Sequence, residues 1–368
     1  MKILIAPDKF KGSLSASEVG EAIKSGLIKS GKNLEIIVHP MADGGDGSLE
    51  VLSTHLDLSK QTVPTVDPLG REMKANYYTS SEVAFLEVAS ASGLVLLKAR
   101  ERNPMLTSSR GTGLLIADAI QKGFQKIYLF LGGSATNDAG IGIASALGFE
   151  FFDYKKNRCA PIGLNLSKIK FIQRKSNLPL HKIEFHLLCD VNNPFFGKDG
   201  AAYVYAPQKG ASKIQVEELD QGLVHFNSIL KKEYDWDVSQ LLGAGAAGGI
   251  GGGLVGLLNA DLKKGFETIA QLTELEKQII AADHVVSGEG KLDAQSLRGK
   301  VVQGIAQLCK KHNKPLTLFV GENNLSKTDL QQMNVSNIFE VMTLAKNPQD
   351  AMHWGFVYLE QLSEDFLV

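Results

Sequence analysis

Cysteine is scarce. The 368 residues hold three, Cys159, Cys189 and Cys309, odd in number, widely spaced and without a Cys-x-x-Cys pair. That excludes a disulfide framework and a structural zinc site, and it points to the cytoplasm. An excess charge of either sign is missing too: 39 Lys+Arg stand against 40 Asp+Glu, for a net charge of −1. No basic surplus exists to neutralise a phosphate backbone, so nucleic acid is not expected as a partner. Long apolar runs are also lacking. Met1-Lys2 precedes only four apolar residues before Pro7, too few for a signal-peptide core. Val238 to Ala260 carries no charge and is long enough for a bilayer. Yet eight glycines fall between Gly243 and Gly256, and each would cost about 1 kcal/mol in a helix relative to alanine. The stretch is expected to be a buried glycine-rich loop, with no membrane span.

What the chain does have is glycine, 37 residues, in an otherwise average globular composition of 44% hydrophobic and 21% charged. The length predicts two domains, or three. Both ends read as alternating strands and helices. Lys2-Ala6 and Leu34-His39 are expected strands, and between them a helix runs to about Ser30, opened by a Ser15/Glu18 capping box. Asp283-Ser287, Pro315-Val320 and Ile338-Met342 are expected strands near the other end, with helices over about Lys300-His312 and Gln349-Glu364. Helical crossovers imply a parallel sheet. Neither end alone has strands enough for a stable sheet, so residues 1–66 and 282–368 are expected to form one domain, with 67–281 inserted. In the insert, Met73-Thr79 and Val83-Val88 read as antiparallel strands after the turn Asp67-Gly70. Ile127-Leu131, Ile169-Gln173, Ile183-Cys189 and Ala201-Ala206 read as further strands, and Arg110-Lys122 and Ser212-Lys232 as helices. The insert is therefore expected to be a mixed-sheet α/β domain.

Five polar loops follow apolar strands, where ligands of open α/β sheets lie. Pro7-Ser13 offers Asp8, Lys9, Lys11 and Ser13 before a helix N-terminus, a setting that suits an anion; the alternative is a solvated charged turn. Ala42-Ser48 carries Asp43 and Asp46 on a glycine turn. They could hold Mg²⁺, which needs one or two carboxylates plus substrate phosphates, or simply cap the next helix. Gly132-Gly140 is the strongest signal: its amides, with Ser134 and Thr136, could cradle a phosphate, although small residues also serve tight turns. Asp190, directly after a strand, is a natural general base or metal ligand, or an Asx turn before Pro194. Ser287-Asp293 offers Glu289, Lys291 and Asp293.

Familiar signatures are absent. There is no P-loop, kinase catalytic loop, Gly-x-Ser-x-Gly elbow or zinc spacing of histidines. A Gly-x-Gly-x-x-Gly at Gly243, Gly245 and Gly248 is weak evidence for a dinucleotide because no convincing strand precedes it. Carboxylates for a metal, lysines for charge and glycine loops for phosphate are together the parts of phosphoryl transfer.

The run Ala-Pro-Asp-Lys-Phe-Lys-Gly-Ser, Met-Ala-Asp-Gly-Gly-Asp-Gly, Gly-Gly-Ser-Ala-Thr-Asn-Asp-Ala-Gly, Cys-Asp-Val-Asn-Asn-Pro, Ala-Pro-Gln-Lys-Gly-Ala, Gly-Ala-Ala-Gly-Gly and Gly-Glu-Gly-Lys-Leu-Asp resembles the bacterial type I glycerate kinases, in that order, from Ile3 to about Gln303. The resemblance implies a discontinuous flavodoxin-like domain from the N- and C-terminal segments, an inserted α/β domain, and an active site in the cleft between them. It implies ATP-dependent phosphorylation of D-glycerate to 2-phosphoglycerate with Mg²⁺; another short hydroxy acid, or 3-phosphoglycerate as product, are the alternatives, with a dehydrogenase or a non-catalytic sensor more remote. On that basis Asp190 is the expected base, with Lys9 offsetting charge on the transferred group. Asp8, Lys11, Ser13 and Arg71 would bind glycerate. Gly132, Gly133, Ser134, Thr136, Asn137 and Lys291 would bind the nucleotide phosphates, and Asp43, Asp46 and Asp293 the metal. Small molecules are the expected partners, without nucleic acid or membrane, and a homo-oligomer is left open.

Overall fold

The structure, a computed structural model, describes all residues except 46, 176, 295, 298, 299, 367 and 368. Its strands, numbered along the chain, are β1 (Lys2–Ile5), β2 (Glu35–Val38), β3 (Ser59–Val66), β4 (Glu72–Ser80), β5 (Val83–Glu87), β6 (Lys126–Phe130), β7 (Phe149–Phe152), β8 (Phe171–Arg174), β9 (Glu184–Leu188), β10 (Asp261–Lys263), β11 (His284–Leu292), β12 (Leu316–Asn323) and β13 (Val335–Glu340). The chain divides into two compact units, one of Met1–Asp43, Glu50–Leu56 and Gly265–Val368, the other of Gly44–Leu49 and Asp57–Lys264.

The first unit holds a five-stranded sheet in the order β13-β12-β11-β1-β2. Every pairing in it is parallel. Read from β2, the order by chain position is 2-1-3-4-5, the flavodoxin-like winding, whose switch point lies between the first and third strands. Here those are β1 and β11. β1 is apolar and buried at Ile3, Leu4 and Ile5, as a strand covered on both faces must be. The helix Ala16–Lys29 starts where expected: the Glu18 amide donates to Ser15 Oγ at 3.3 Å, and the Ser15 amide donates back to the Glu18 carboxylate at 2.8 Å. Its apolar stripe of Val19, Ile23 and Leu27 joins Ile3, Ile5, Phe319, Leu359 and Phe366 in one core.

The second unit is built on a six-stranded mixed sheet, β10-β9-β6-β5-β4-β3, and a β7-β8 ribbon. β3, β4 and β5 run antiparallel to their neighbours in turn, whereas β5, β6, β9 and β10 are parallel. So a flavodoxin-like domain is assembled from both ends of the chain, with a mixed-sheet α/β unit inserted. The division falls elsewhere than at 66/67 and 281/282. β3 pairs with β4 along its whole length and so belongs to the insert, whereas Gly265–Ala281 packs with the terminal segments.

Three further local expectations are corrected. Ala201–Tyr205 is a helix, because Ala201, Ala202 and Ala206 are small enough to bury against neighbouring helices. The uncharged stretch is largely helical over Ala246–Leu258, with left-handed backbone at Ala247, Gly248 and Gly249. Gly288–Leu292 is no loop: it prolongs β11 beside β12. No described helix is long and apolar enough to cross a membrane.

Candidate active site

In the first unit the carboxyl ends of β1 and β11 meet. The Ala6 amide donates to the Val286 carbonyl at 2.7 Å and the Asp8 amide to the Gly288 carbonyl at 2.8 Å. Gly290 lies so close to Phe10 and Lys11 that a Cβ would sit 3.2 Å from Phe10 Cα. This is the switch point, and carboxylates collect there. Asp8 is buried, and its own side chain accepts the Lys9 amide at 2.7 Å. Burial, and then the charge of Asp43, push the Asp8 carboxyl up to about 8. Glu289 is also buried, and its Oε1 has no hydrogen-bond partner among the described residues. Burial pushes it up to about 7 against the opposing influence of the Ser296 hydroxyl and the Lys300 charge, with Asp293 and Asp43 adding repulsion. Lys9 is half-buried and Lys11 exposed. Ser13 donates to the Met352 carbonyl at 2.6 Å and so ties its loop to the C-terminal helices. Lys291 is exposed on β11 and pairs at 3.4 Å with Glu322 on β12, a surface contact of little energetic weight. Asp46 lies outside the described residues.

In the second unit, the loop after β6 and the loop after β9 leave adjacent parallel strands, with the Leu131 amide donating to the Leu188 carbonyl at 3.1 Å. Asp190 is half-buried at the head of the β9 loop. Gly132 and Gly133 are the open part of the β6 loop; Ser134 to Gly140 are buried. Asp138 organises the far end. It is fully buried and accepts from the Ser109 amide and hydroxyl, both at 2.8 Å, and from the Gly140 and Gly142 amides at 3.2 and 3.3 Å. Lys209, which the loop-by-loop reading assigned no role, lies beneath the near end with its ammonium on Ser134 Oγ and the Thr136 carbonyl. Burial pulls it down to about 7, with Asp138 opposing. Among the described residues, Thr136 Oγ1 and both polar atoms of the Asn137 side-chain amide are buried and unpartnered. Each such group costs about 1–3 kcal/mol, a burden native structures seldom carry without a reason.

The glycine-rich helix explains the weak dinucleotide motif. A Cβ on Gly248 would lie 2.0 Å from the Thr136 carbonyl, and one on Gly253 would lie 1.7 Å from that of Ala139. These glycines are there for the β6 loop, whose backbone presses on them; the dinucleotide reading is withdrawn. Arg71 is likewise spoken for. It binds Asp67 at 2.5 Å and Glu101 at 2.8 Å, clamping the turn that Asp67 already closes through the Leu69 and Arg71 amides.

Glu289 stands in a loop that the sequence singles out, though without a role given to it there. Lys209 and Ser109 lie far from the residues they contact and carry no spacing signal; only the Ala-Pro-Gln-Lys-Gly-Ala motif marked Lys209. The model of the glycerate kinase family matches residues 3–367. A glycerate 2-kinase of Escherichia coli K12 is 39% identical over 346 residues, 93% of this chain and 91% of that one. A glycerate kinase of Halalkalibacterium halodurans is 36% identical, covering 100% of this chain and 97% of its own. A crystal structure from Salmonella typhimurium LT2, assigned as glycerate kinase 2, superposes with a TM-score of 0.84 at 35% identity, covering 99% of this chain and 96% of that one.

Proposed function

The chain belongs to the glycerate kinase family, and from that premise we propose that it transfers the γ-phosphoryl group of ATP to the 2-hydroxyl of D-glycerate. The observation that carries the reading is the β6 loop: glycine at its open end, a buried ammonium beneath it, and a carboxylate on the neighbouring strand's loop. Backbone amides on such a loop favour phosphate oxygens. Asp190 takes the proton from the attacking hydroxyl. The new O–P bond forms as the bond to the bridging oxygen breaks, and ADP departs. Lys9 offsets charge on the transferred group, Lys11 holds the glycerate carboxylate, and Asp8, Ser13 and Arg71 support that binding by shaping their loops. Gly132, Gly133, Ser134, Thr136 and Asn137 receive phosphate, with Lys291 adding charge. Positioning and electrostatics supply most of the barrier reduction, because such transition states are loose.

The acidic set suits a hard cation. All its donors are oxygens, Glu289 Oε1 is buried without a partner among the described residues, and Asp8 and Glu289 are pushed up by burial and by nearby carboxylates, Asp43 in both cases. Among the described residues no three His, Cys, Asp or Glu side chains are gathered to hold an ion by themselves; Mg²⁺ needs only one or two carboxylates beside substrate phosphates. Asp43 and Asp293 would hold it, together with Asp46 from the sequence pattern. When bound, it neutralises charge on the phosphate oxygens. Three free cysteines suit a reducing cytoplasm.

The test is ADP release with Mg-ATP and D-glycerate, followed by phosphorus NMR of the product. ADP with 2-phosphoglycerate is expected. ADP with 3-phosphoglycerate moves the attacking hydroxyl and the placement of Asp190. No turnover by folded protein sinks the substrate assignment.

A further inference from the structure

Lys209 has no role in the reaction just described, yet the second unit goes to some length to place it. It ends the short turn Pro207–Lys209 and is 3% exposed. The next residue, Gly210, has φ +96°, and a Cβ there would lie 2.2 Å from the Arg102 carbonyl. A side chain at 210 would push the turn aside, and the turn as it stands delivers the ammonium under the β6 loop. Its Nζ donates to Ser134 Oγ at 2.8 Å and to the Thr136 carbonyl at 2.7 Å.

Those are alternate residues of the loop. Ala135 between them and Gly133 before them are held by other groups. The Leu94 amide donates to the Gly133 carbonyl at 2.8 Å, the Ala135 amide to the Ser92 carbonyl at 2.8 Å, and Thr107 Oγ1 to the Ala135 carbonyl at 2.9 Å. Among the described residues, Lys209 alone bonds Ser134 Oγ and the Thr136 carbonyl. Thr136 Oγ1 and the Asn137 amide make no bond that could fix the loop instead. An ammonium is a poor way to fill a buried space, since a methionine would pack there without losing its hydration. The unit keeps the ammonium, which fits a demand for two directed donors.

We infer that Lys209 is a positioning residue of the phosphate-binding loop, acting through Ser134 and Thr136 to set the backbone shape that receives the nucleotide's phosphates. This rests on reading the β6 loop as the phosphate site. It predicts that losing the ammonium harms the nucleotide and spares the other substrate.

The experiment compares the full-length wild type with Lys209→Met, Lys209→Arg and Ser134→Ala, using steady-state kinetics and calorimetric titration with ADP. In Lys209→Met, KM for ATP rises by about 10–100-fold, the weight of two charge-assisted bonds and a misplaced loop. KM for glycerate stays within about twofold, the ADP affinity falls with KM for ATP, Lys209→Arg regains part of the loss, and Ser134→Ala lies between. ADP affinity unchanged in Lys209→Met, or both KM values rising together, overturns the inference. If Lys209→Met does not fold, Ser134→Ala decides, and unchanged ADP affinity in that variant has the same force. A wild type that binds ADP but leaves glycerate untouched sinks the proposed activity alone, and the titrations still judge Lys209. A wild type that binds no ADP overturns both.

Discussion

Asp8 and Glu289 hold their protons at pH values where an unfolded chain has released them. Their carboxyls stand at about 8 and about 7 in the folded protein, against about 4 when unfolded. Between those limits the native state binds more protons, so stability falls as pH rises through that window and is fully present below it. In metal-free buffer, Asp8→Asn should therefore raise the melting temperature at pH 8.5 and do much less at pH 5. An equal shift at both would remove the argument from repulsion. Asp190 is half-buried beside Cys189, whose thiol burial pushes up to about 11. If Asp190 is the base, Asp190→Asn should lower kcat by about 10²–10⁴-fold, and a kcat equal to wild type ends that role. Lys11→Ala should raise KM for glycerate far more than for ATP; equal rises would move Lys11 to the phosphates. At this scale the sequence was readable where a residue bonds inside its own loop, as Asp8 does with the Lys9 amide. It marked Lys209 only as part of a motif and gave it no role, because the ammonium serves a loop some seventy residues earlier in the chain.

The element that resisted sequence reading is the helix Ala246–Leu258. Summed glycine propensities argue against any helix there, but propensity is weighed against packing, and here packing decides. The β6 loop lies so close that side chains would collide with its carbonyls. Gly248→Ala should cost about 2–6 kcal/mol, adding a left-handed backbone penalty to overpacking. Gly31→Ala, at φ +71° with nothing within 4 Å of the new Cβ, should cost only about 1–2 kcal/mol. Urea denaturation of the two variants checks the contrast, and similar losses would mean that the contact with Thr136 is not what demands glycine. The helix after Ser15 was legible because its capping box is local. Ala201–Tyr205 was misread for the opposite reason: its aromatic and branched residues favour a strand in isolation, and only its buried alanines, facing other helices, make it helical. β11 outran its expected end because Gly288 and Gly290 admit the backbones of Phe319 and Phe10 at close quarters, a fact no single segment contains.

At the scale of the molecule, the join between chain ends was legible because each end carries too few strands for an open sheet. The exact division was not, since β3 shows its allegiance only by pairing with β4. That join has a consequence for how the protein is made. Ile3 pairs with His284 and Lys2 with Glu35, so β1 gains one neighbour at once and the other only after most of the chain has been translated. At about 5–20 residues per second, the wait is roughly 15–60 s. Throughout it, one edge of an apolar strand stays unpaired, an invitation to wrong partners. Meanwhile every strand of the inserted sheet has already left the ribosome. Translation-arrested chains that expose residues 1–264 should thus resist protease over the insert and be cut within residues 1–43. Protection of both segments would mean that the first unit can assemble before β11 exists. The early strands of this enzyme thus stand exposed on the nascent chain long before they are part of a sheet, the condition that chaperones act on.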